Sequence, residues 1–255
     1  MDRKFYSNEI VLSGELLAGA DTTERTPTID NPTAFYVHVL KETLEANGID
    51  VQGKAIDCDE IDAWVHAPRD HDYVELANYY SVPLSEVVQR CMKRSQNMYA
   101  ETMPRVLSWH ETGQGSIEAG REIIDSVFTD FGIEPGSWAY VDGSGLTRYN
   151  YISPEVLVKI LEGMYRSDLK DIWMESLPIS GVDGTLKRRM KGTAAYKKVL
   201  AKTGTISNTR GLSGYTTTAS GENIVFSFLV NGHLLSSKDT ERITDSILEL
   251  ICAYK

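Results

Sequence analysis

Three extended segments lying close together late in the chain, near 198–203, 210–218 and 223–230, constrain the fold more than any other feature. Glycines 211, 214, 221 and 232 punctuate them, and an apolar-periodic stretch from about Lys238 to Tyr254 follows. Antiparallel strands closed by a helix, after a long helical region, predict an antiparallel sheet flanked by helices, an α+β architecture.

Upstream of the strands the periodicity is helical. Asp30-Asn31-Pro32 reads as a helix start, because an Asp or Asn side chain can cap while proline fits the first turn. Phe35, Val39, Leu40 and Leu44 mark the stripe expected to be buried, and Gly48 marks the stop. A further helix from Pro83 carries Val87, Val88, Cys91 and Met92 and runs into Ser95-Gln96-Asn97, with another expected from about Ala100 to Trp109. Ser116 to Phe131 reads as an amphipathic helix stopped by Gly132, and Ser153-Pro154 opens one with Leu157, Ile160, Leu161 and Met164 on one face. Glu9 to Gly14 reads as a strand entering a turn, before a threonine-rich loop from Asp21 to Thr28. Ala139-Tyr140-Val141 reads as a short strand leading into the tight turn Asp142-Gly143-Ser144-Gly145. No internal repeat or low-complexity tract interrupts this order.

Composition narrows the partners. A formal charge of -10 over 255 residues repels nucleic acid and anionic lipid, so neither is an expected partner without a local basic patch. One such patch exists, Lys187-Arg188-Arg189-Met190-Lys191 with Lys197-Lys198, and it reads first as a solvated loop and strand start. The N-terminus has no apolar core of signal-peptide length, and the longest apolar stretch, Ile224 to Val230, is far too short to span a bilayer. Cys58, Cys91 and Cys252 are odd in number and lack Cys-x-x-Cys spacing, which points to structural thiols. Asp57, Asp59, Glu60 and Asp62 crowd together without the glycine and distal glutamate of a calcium loop, so no metal is expected.

The chemistry gathers at two places. Lys198-Val199-Leu200-Ala201 ends in Lys202-Thr203-Gly204, which offers an amine, a hydroxyl and bare backbone along one strand edge. An ammonium there lends positive potential to a pocket, Thr203 and Thr205 can hydrogen-bond a carboxylate, and Gly204 leaves room for a ligand's backbone. Upstream, Ser95 can relay a proton and Asn97 can grip an amide. Ser-x-Asn alone carries almost no information at this length; the Lys-Thr-Gly triplet and the order of the two carry more. They match the second and third signatures of enzymes that attack acyl groups with an activated serine, whose first signature is Ser-x-x-Lys.

Four longer stretches occur in order: Ser95-Gln96-Asn97-Met98-Tyr99-Ala100-Glu101, Asp142-Gly143-Ser144-Gly145-Leu146, Leu177-Pro178-Ile179-Ser180-Gly181-Val182-Asp183-Gly184-Thr185-Leu186 and Lys202-Thr203-Gly204-Thr205. Together they closely resemble the low-molecular-mass class C penicillin-binding proteins, the D-alanyl-D-alanine carboxypeptidases/endopeptidases of bacterial cell-wall metabolism. The resemblance covers nearly the whole chain. It implies a β-lactamase-like serine transpeptidase fold, with residues 1–29 as the closing strand and loop of an inserted region and 30–255 as the C-terminal part of the penicillin-binding domain. It further implies cleavage of the D-Ala-D-Ala bond of peptidoglycan stem peptides through an acyl-enzyme, inactivation by β-lactams, no cofactor or metal, and a periplasmic or extracytoplasmic location. Carried over by position, Ser95, Asn97 and Lys202 are catalytic, and Thr203, Gly204 and Thr205 bind substrate.

No Ser-x-x-Lys precedes Ser95. Ser167-Asp168-Leu169-Lys170 follows it, and on a helix would put both side chains on one face. In the family the nucleophile lies far upstream, and the segment bearing it completes the sheet formed by the last strands. The strand near Ile224 to Val230 is therefore expected to show an open edge that associates with another copy, is refilled by residues near 5–14, or pairs with a separate N-terminal segment. A non-catalytic peptidoglycan- or penicillin-binding module and an inactive fragment are the competing readings.

Overall fold

A computed structural model describes residues 2–20, 22, 24, 27–61, 75 and 77–255. Two compact units divide the chain, Met1–Asn78 and Tyr79–Lys255.

In the first unit, strands β1 (Asp2–Arg3) and β2 (Ile10–Val11) pair antiparallel, so the extended run expected from Glu9 shortens to two residues. Helix α1 (Pro32–Ala46) starts as the sequence requires: Asn31 Oδ1 accepts from the Ala34 N–H at 2.9 Å, and Pro32 occupies the first turn. The expected buried stripe is not buried. Phe35, Val39 and Leu40 are 50%, 41% and 42% exposed, because no described element of this unit covers that face of α1. Of the acidic segment, Cys58–Glu60 forms a 3-10 turn, Glu60 accepts from the Asn31 side chain, and Asp62 lies outside the described residues.

The second unit is a three-layer sandwich. Its sheet is the antiparallel meander β3 (Leu200–Ile206), β4 (Thr209–Thr217) and β5 (Asn223–Asn231), in that order. Because side chains alternate along a strand, the sheet has two distinct faces. Ala201, Leu212 and Phe226 pack with Leu248 and Cys252 of the terminal helix α7 (Ser237–Ala253). On the opposite face, Leu200, Tyr215 and Val225 meet Leu161 and Tyr165 of α5 (Pro154–Arg166), Trp173 and Met174 of α6 (Lys170–Ser176), and Met92 of α2 (Leu84–Arg94). Full burial of each such side chain contributes about 1.5–3 kcal/mol.

Helices α3 (Asn97–Thr112) and α4 (Ile117–Asp130) pack on each other through Pro104 and Gly120, where a Cβ on Gly120 would lie 2.2 Å from the Pro104 carbonyl oxygen. Serines 116, 153 and 236 cap α4, α5 and α7 through their hydroxyls. Helix α3 starts three residues earlier than expected, at Asn97. The strand expected at 139–141 reduces to a bridge between Ala139 and Tyr151, because the chain beyond it wraps around the Asp142 carboxylate. Two residues of the basic patch serve the fold: Arg189 makes a paired, nearly buried contact with Asp245, and Lys198 donates to the Cys252 carbonyl.

The start of β3 is covered by residues 178–180, through Ser180 N–H to Val199 O and Ala201 N–H to Pro178 O. Beyond that, the outer edge of β3 has no strand partner among the described residues, and neither has β5.

Candidate active site

Ser95 terminates α2 in the left-handed region, φ 56° and ψ 56°, with its N–H bonded to the Cys91 carbonyl. A non-glycine residue held there is uncommon and is fixed by its surroundings. The turn aims the Ser95 hydroxyl at the sheet, where Lys202 Nζ donates to Ser95 Oγ at 2.9 Å. The two residues are 107 positions apart in sequence.

Lys202 lies near the middle of β3 and not at its end, since the strand continues through Thr205 and Ile206. Its face is the one that carries Leu200 and Tyr215, toward the α2 layer; Thr203 points to the opposite face. Nζ also donates to the Thr203 carbonyl at 2.6 Å. Burial lowers the lysine's pKa below its ordinary 10.5, and the nearby Cys91 acts against that shift. The converse holds at Cys91, one helical turn before Ser95: burial raises its thiol above 9.0, opposed by Lys202 and by the bond to the Gln96 carbonyl. An amine whose proton is loosened by desolvation, hydrogen-bonded to a hydroxyl, is a pair able to pass a proton.

Thr203 donates to the Thr185 hydroxyl at 2.8 Å, which ties the strand to the 3-10 turn Gly184–Leu186. Gly204 and Thr205 are exposed. A Cβ on Gly204 would meet only the Gly211 backbone at 3.8 Å, so the chain's own packing does not demand glycine here. Asn97 is exposed at the first position of α3 and shares no hydrogen bond with the β3 residues. One turn later, Glu101 Oε1 accepts from the Ser144 N–H at 3.1 Å. The Ser144 hydroxyl, followed by the backbone N–H groups of Ser144 and Gly143, holds the Glu101 carboxyl below its ordinary 4.5. Pro104 cannot donate to the Ala100 carbonyl, and Gly143 fills the space against it, where a Cβ would lie 1.9 Å from that oxygen. The Asp142–Gly145 loop is thereby fixed beside the start of α3. At Asp142 burial pushes the pKa up, but hydrogen bonds from Asn150 and from the N–H groups of Thr147, Gly145 and Leu146 outweigh it and leave it lowered.

The structure thus joins Ser95 directly to Lys202 and puts Thr203, Gly204 and Thr205 on the same open strand, with Asn97 two residues from Ser95. Ser167 and Lys170 do not form a pair on one helix. Ser167 ends α5 and donates to the Met164 carbonyl, whereas Lys170 begins α6 with its amine 3.7 Å over the Tyr165 ring. Sequence reasoning gave Cys91 only a structural part and assigned none to Lys93, and it named Asp183 and Thr185 without a role in the site, yet all four contact the site residues or their supports. Asp183 and Thr185 lay within a recognised stretch; nothing about Cys91 or Lys93 distinguished them from a helix face. Among the described residues no cluster of acids, histidines or cysteines could hold a metal, and no helix is long and apolar enough to cross a membrane.

The profile of the D-Ala-D-Ala carboxypeptidase 3 (S13) family matches residues 1–253. A D-alanyl-D-alanine carboxypeptidase of Actinomadura sp. (strain R39) is 34% identical over 239 residues, 91% of this chain and 43% of that protein. The D-alanyl-D-alanine carboxypeptidase DacB of Haemophilus influenzae is 30% identical over 220 residues, 85% of this chain and 43% of that protein. The crystal structure of penicillin binding protein 4 from Haemophilus influenzae superposes with a TM-score of 0.75 at 26% identity, covering 89% of this chain and 50% of that one. The TLA-3 extended-spectrum β-lactamase shares the fold, with a TM-score of 0.51 at 14% identity over 86% of this chain. The chain spans less than half the length of these two curated relatives. The α+β fold is that of penicillin-binding proteins and β-lactamases, and the chain belongs to the D-Ala-D-Ala carboxypeptidase 3 (S13) family.

Proposed function

We propose that this chain supplies the peptide-binding and proton-relay part of a serine-type D-Ala-D-Ala carboxypeptidase or endopeptidase, and that the nucleophile comes from a Ser-x-x-Lys segment outside these 255 residues. The observation that carries the reading is the 2.9 Å bond between Lys202 and Ser95 beside an open strand edge. In acylation, the serine oxygen bonds to the carbonyl carbon of the penultimate D-Ala and the C–N bond breaks. The serine proton leaves by way of Ser95 and Lys202 to the departing amine, and water later hydrolyses the ester. Thr203 and Thr205 take the substrate carboxylate, Gly204 leaves space for its backbone, and Asn97 holds its amide.

Two further features support docking of the missing nucleophile segment. Across the sheet from Lys202, on the same face, Ser213 and Ser227 bond to each other at 2.9 Å, a polar stripe suited to a polar partner. The edge of β5, unpaired among the described residues, and the exposed Ile243, Ile247 and Leu250 of α7 offer a strand partner and an apolar seat. Residues 1–29 then close an inserted region, 30–255 belong to the penicillin-binding domain, and the substrate's location makes the setting extracytoplasmic.

Fluorescent penicillin tests the reading. Covalent label is expected only when an upstream Ser-x-x-Lys segment is supplied, fused or in trans. Label on the 255-residue chain alone, at Ser95 or Ser167, contradicts it. A second reading is a binding module that never acylates. That reading requires reversible binding of a D-Ala-D-Ala peptide, lost in Lys202→Ala, with no label in any combination. Light scattering that finds a dispersed monomer counts against self-association through β5.

A further inference from the structure

Two residues before Ser95, Lys93 in the last turn of α2 reaches a partner 90 positions away: its ammonium lies 2.6 Å from Asp183 Oδ2. Both ends of this pair are anchored. Lys93 Nζ also donates to the Leu177 carbonyl at 2.9 Å, and Asp183 Oδ1 accepts from the Ile179 N–H at 2.9 Å. The side chains are 18% and 36% exposed. A mobile surface pair spends its attraction on ordering two long side chains; this one is held by backbone groups and has one geometry. The backbone closes just as tightly. Gly184 adopts φ +54°, and a Cβ there would lie 2.8 Å from the Lys93 carbonyl oxygen and 3.0 Å from Pro178 Cβ.

The contact completes a ring. Lys93 is two residues from Ser95, and Asp183 is two residues from Thr185, which accepts from Thr203, the neighbour of Lys202. Lys202 returns to Ser95. Every link joins elements distant in sequence, so the ring and not the local chain decides how far the α2 end stands from β3. Ser95 itself is exposed and sits past the last helical residue, which leaves its placement to such tethers.

We propose that Lys93 and Asp183 are positioning residues of the candidate site: their ion pair sets the spacing between the helix end bearing Ser95 and the strand bearing Lys202, and so governs peptide binding without touching the peptide. The inference rests on Ser95 and Lys202 being the peptide site. A merely structural pair would lower stability and leave the site intact in every molecule that stays folded. A positioning pair changes the site in folded molecules.

The test compares the 255-residue chain with Lys93→Met, Asp183→Asn and the charge-keeping Lys93→Arg, at temperatures where circular dichroism shows each to be folded. Two readouts are taken: titration of the Lys202 amine, followed by NMR at its Cε, and the Kd for an N-acetylated peptide ending in D-Ala-D-Ala. In Lys93→Met and Asp183→Asn the Lys202 titration moves up toward that of a free lysine and Kd rises about tenfold. Lys93→Arg brings Kd back to within about threefold of the parent. Unchanged Lys202 titration and Kd in the folded variants overturn the proposal, as does Lys93→Arg behaving like Lys93→Met. Should Lys93→Met not fold, Asp183→Asn, equal in size and neutral, makes the same comparison. Should the parent chain bind no peptide, the peptide-site reading fails, and the Lys202 titration alone still upholds or overturns the clamp.

Discussion

Replacing Tyr215 with phenylalanine measures how firmly the helical layer is fastened to the sheet that carries Lys202. Tyr215 is 4% exposed; its hydroxyl donates to the Leu161 carbonyl at 2.6 Å and accepts from Trp173 Nε1–H at 2.9 Å. One oxygen thus ties α5 and α6 to β4. Phenylalanine keeps the ring and abandons both partners away from water. Each abandoned group costs about 1–3 kcal/mol, so we expect a loss of about 2–6 kcal/mol, and a fall in Tm of about 4–24 °C for a chain this long. The effect must also depend on pH in a defined direction. Burial raises the Tyr215 pKa from 10.0 to about 12, with the Trp173 hydrogen bond opposing. The unfolded phenol ionises near 10 while the folded one keeps its proton, so the tyrosine's contribution is complete below pH 10 and is lost as pH rises toward 12. At pH 11 that loss is about 1.4 kcal/mol, one unit past the unfolded value. Urea unfolding of the parent and Tyr215→Phe should show a gap of about 2–6 kcal/mol at pH 8 that narrows by about 1.4 kcal/mol at pH 11. A gap below about 0.5 kcal/mol at pH 8, or one that does not change with pH, would refute the reasoning.

Other substitutions probe the supports around the site. Arg189→Met strands Asp245, whose side chain is 15% exposed, and should cost about 3–5 kcal/mol by calorimetry, more than the exposed pair Arg166–Glu162 could yield. Ser180→Ala removes the buried hydroxyl that donates to the Ala195 carbonyl at 2.6 Å and accepts from Val199 N–H, and should cost about 1–3 kcal/mol in urea unfolding. Gly143→Ala drives a methyl into the Ala100 carbonyl; a loss of about 1–3 kcal/mol with altered NMR shifts at 142–145 is expected, and an unperturbed loop contradicts the packing. Glu101, held below its ordinary 4.5 first by the Ser144 hydroxyl, favours the fold above that pH and stops doing so as pH falls through its lowered value. The Ser144 amide shift should therefore carry a titration below pH 4.5 in the parent that Glu101→Gln removes, while the titration of Asp142 sensed at Gly145 remains.

The helix starts at Asn31-Pro32, Ser116 and Ser153-Pro154 were legible in the sequence because capping is a local event, written within four residues of chain. The three strands were legible for a related reason: glycine punctuation and β-branched runs are local too. The buried stripe of α1 was not, because amphipathic spacing says which face is apolar and not what stands against it. Ser95-Gln96-Asn97 and Lys202-Thr203-Gly204 were legible as motifs, and the position of the triplet within β3 was not, since a strand's length depends on the partner it pairs with. The Lys93–Asp183 and Thr185–Thr203 contacts had no spacing to reveal them. Long-range ion pairs and hydroxyl contacts follow from tertiary packing, and only the stretch around Asp183-Gly184-Thr185 hinted that this loop mattered.

The most direct trial of the central claim is to map, by backbone amide NMR, where a D-Ala-D-Ala peptide perturbs this chain. The account predicts shifts at residues 95–97 and 202–205 together, with saturation shared by both groups and affinity lowered about tenfold in Lys202→Ala. Perturbation confined to one of the two groups, or located elsewhere and indifferent to Lys202→Ala, would contradict it.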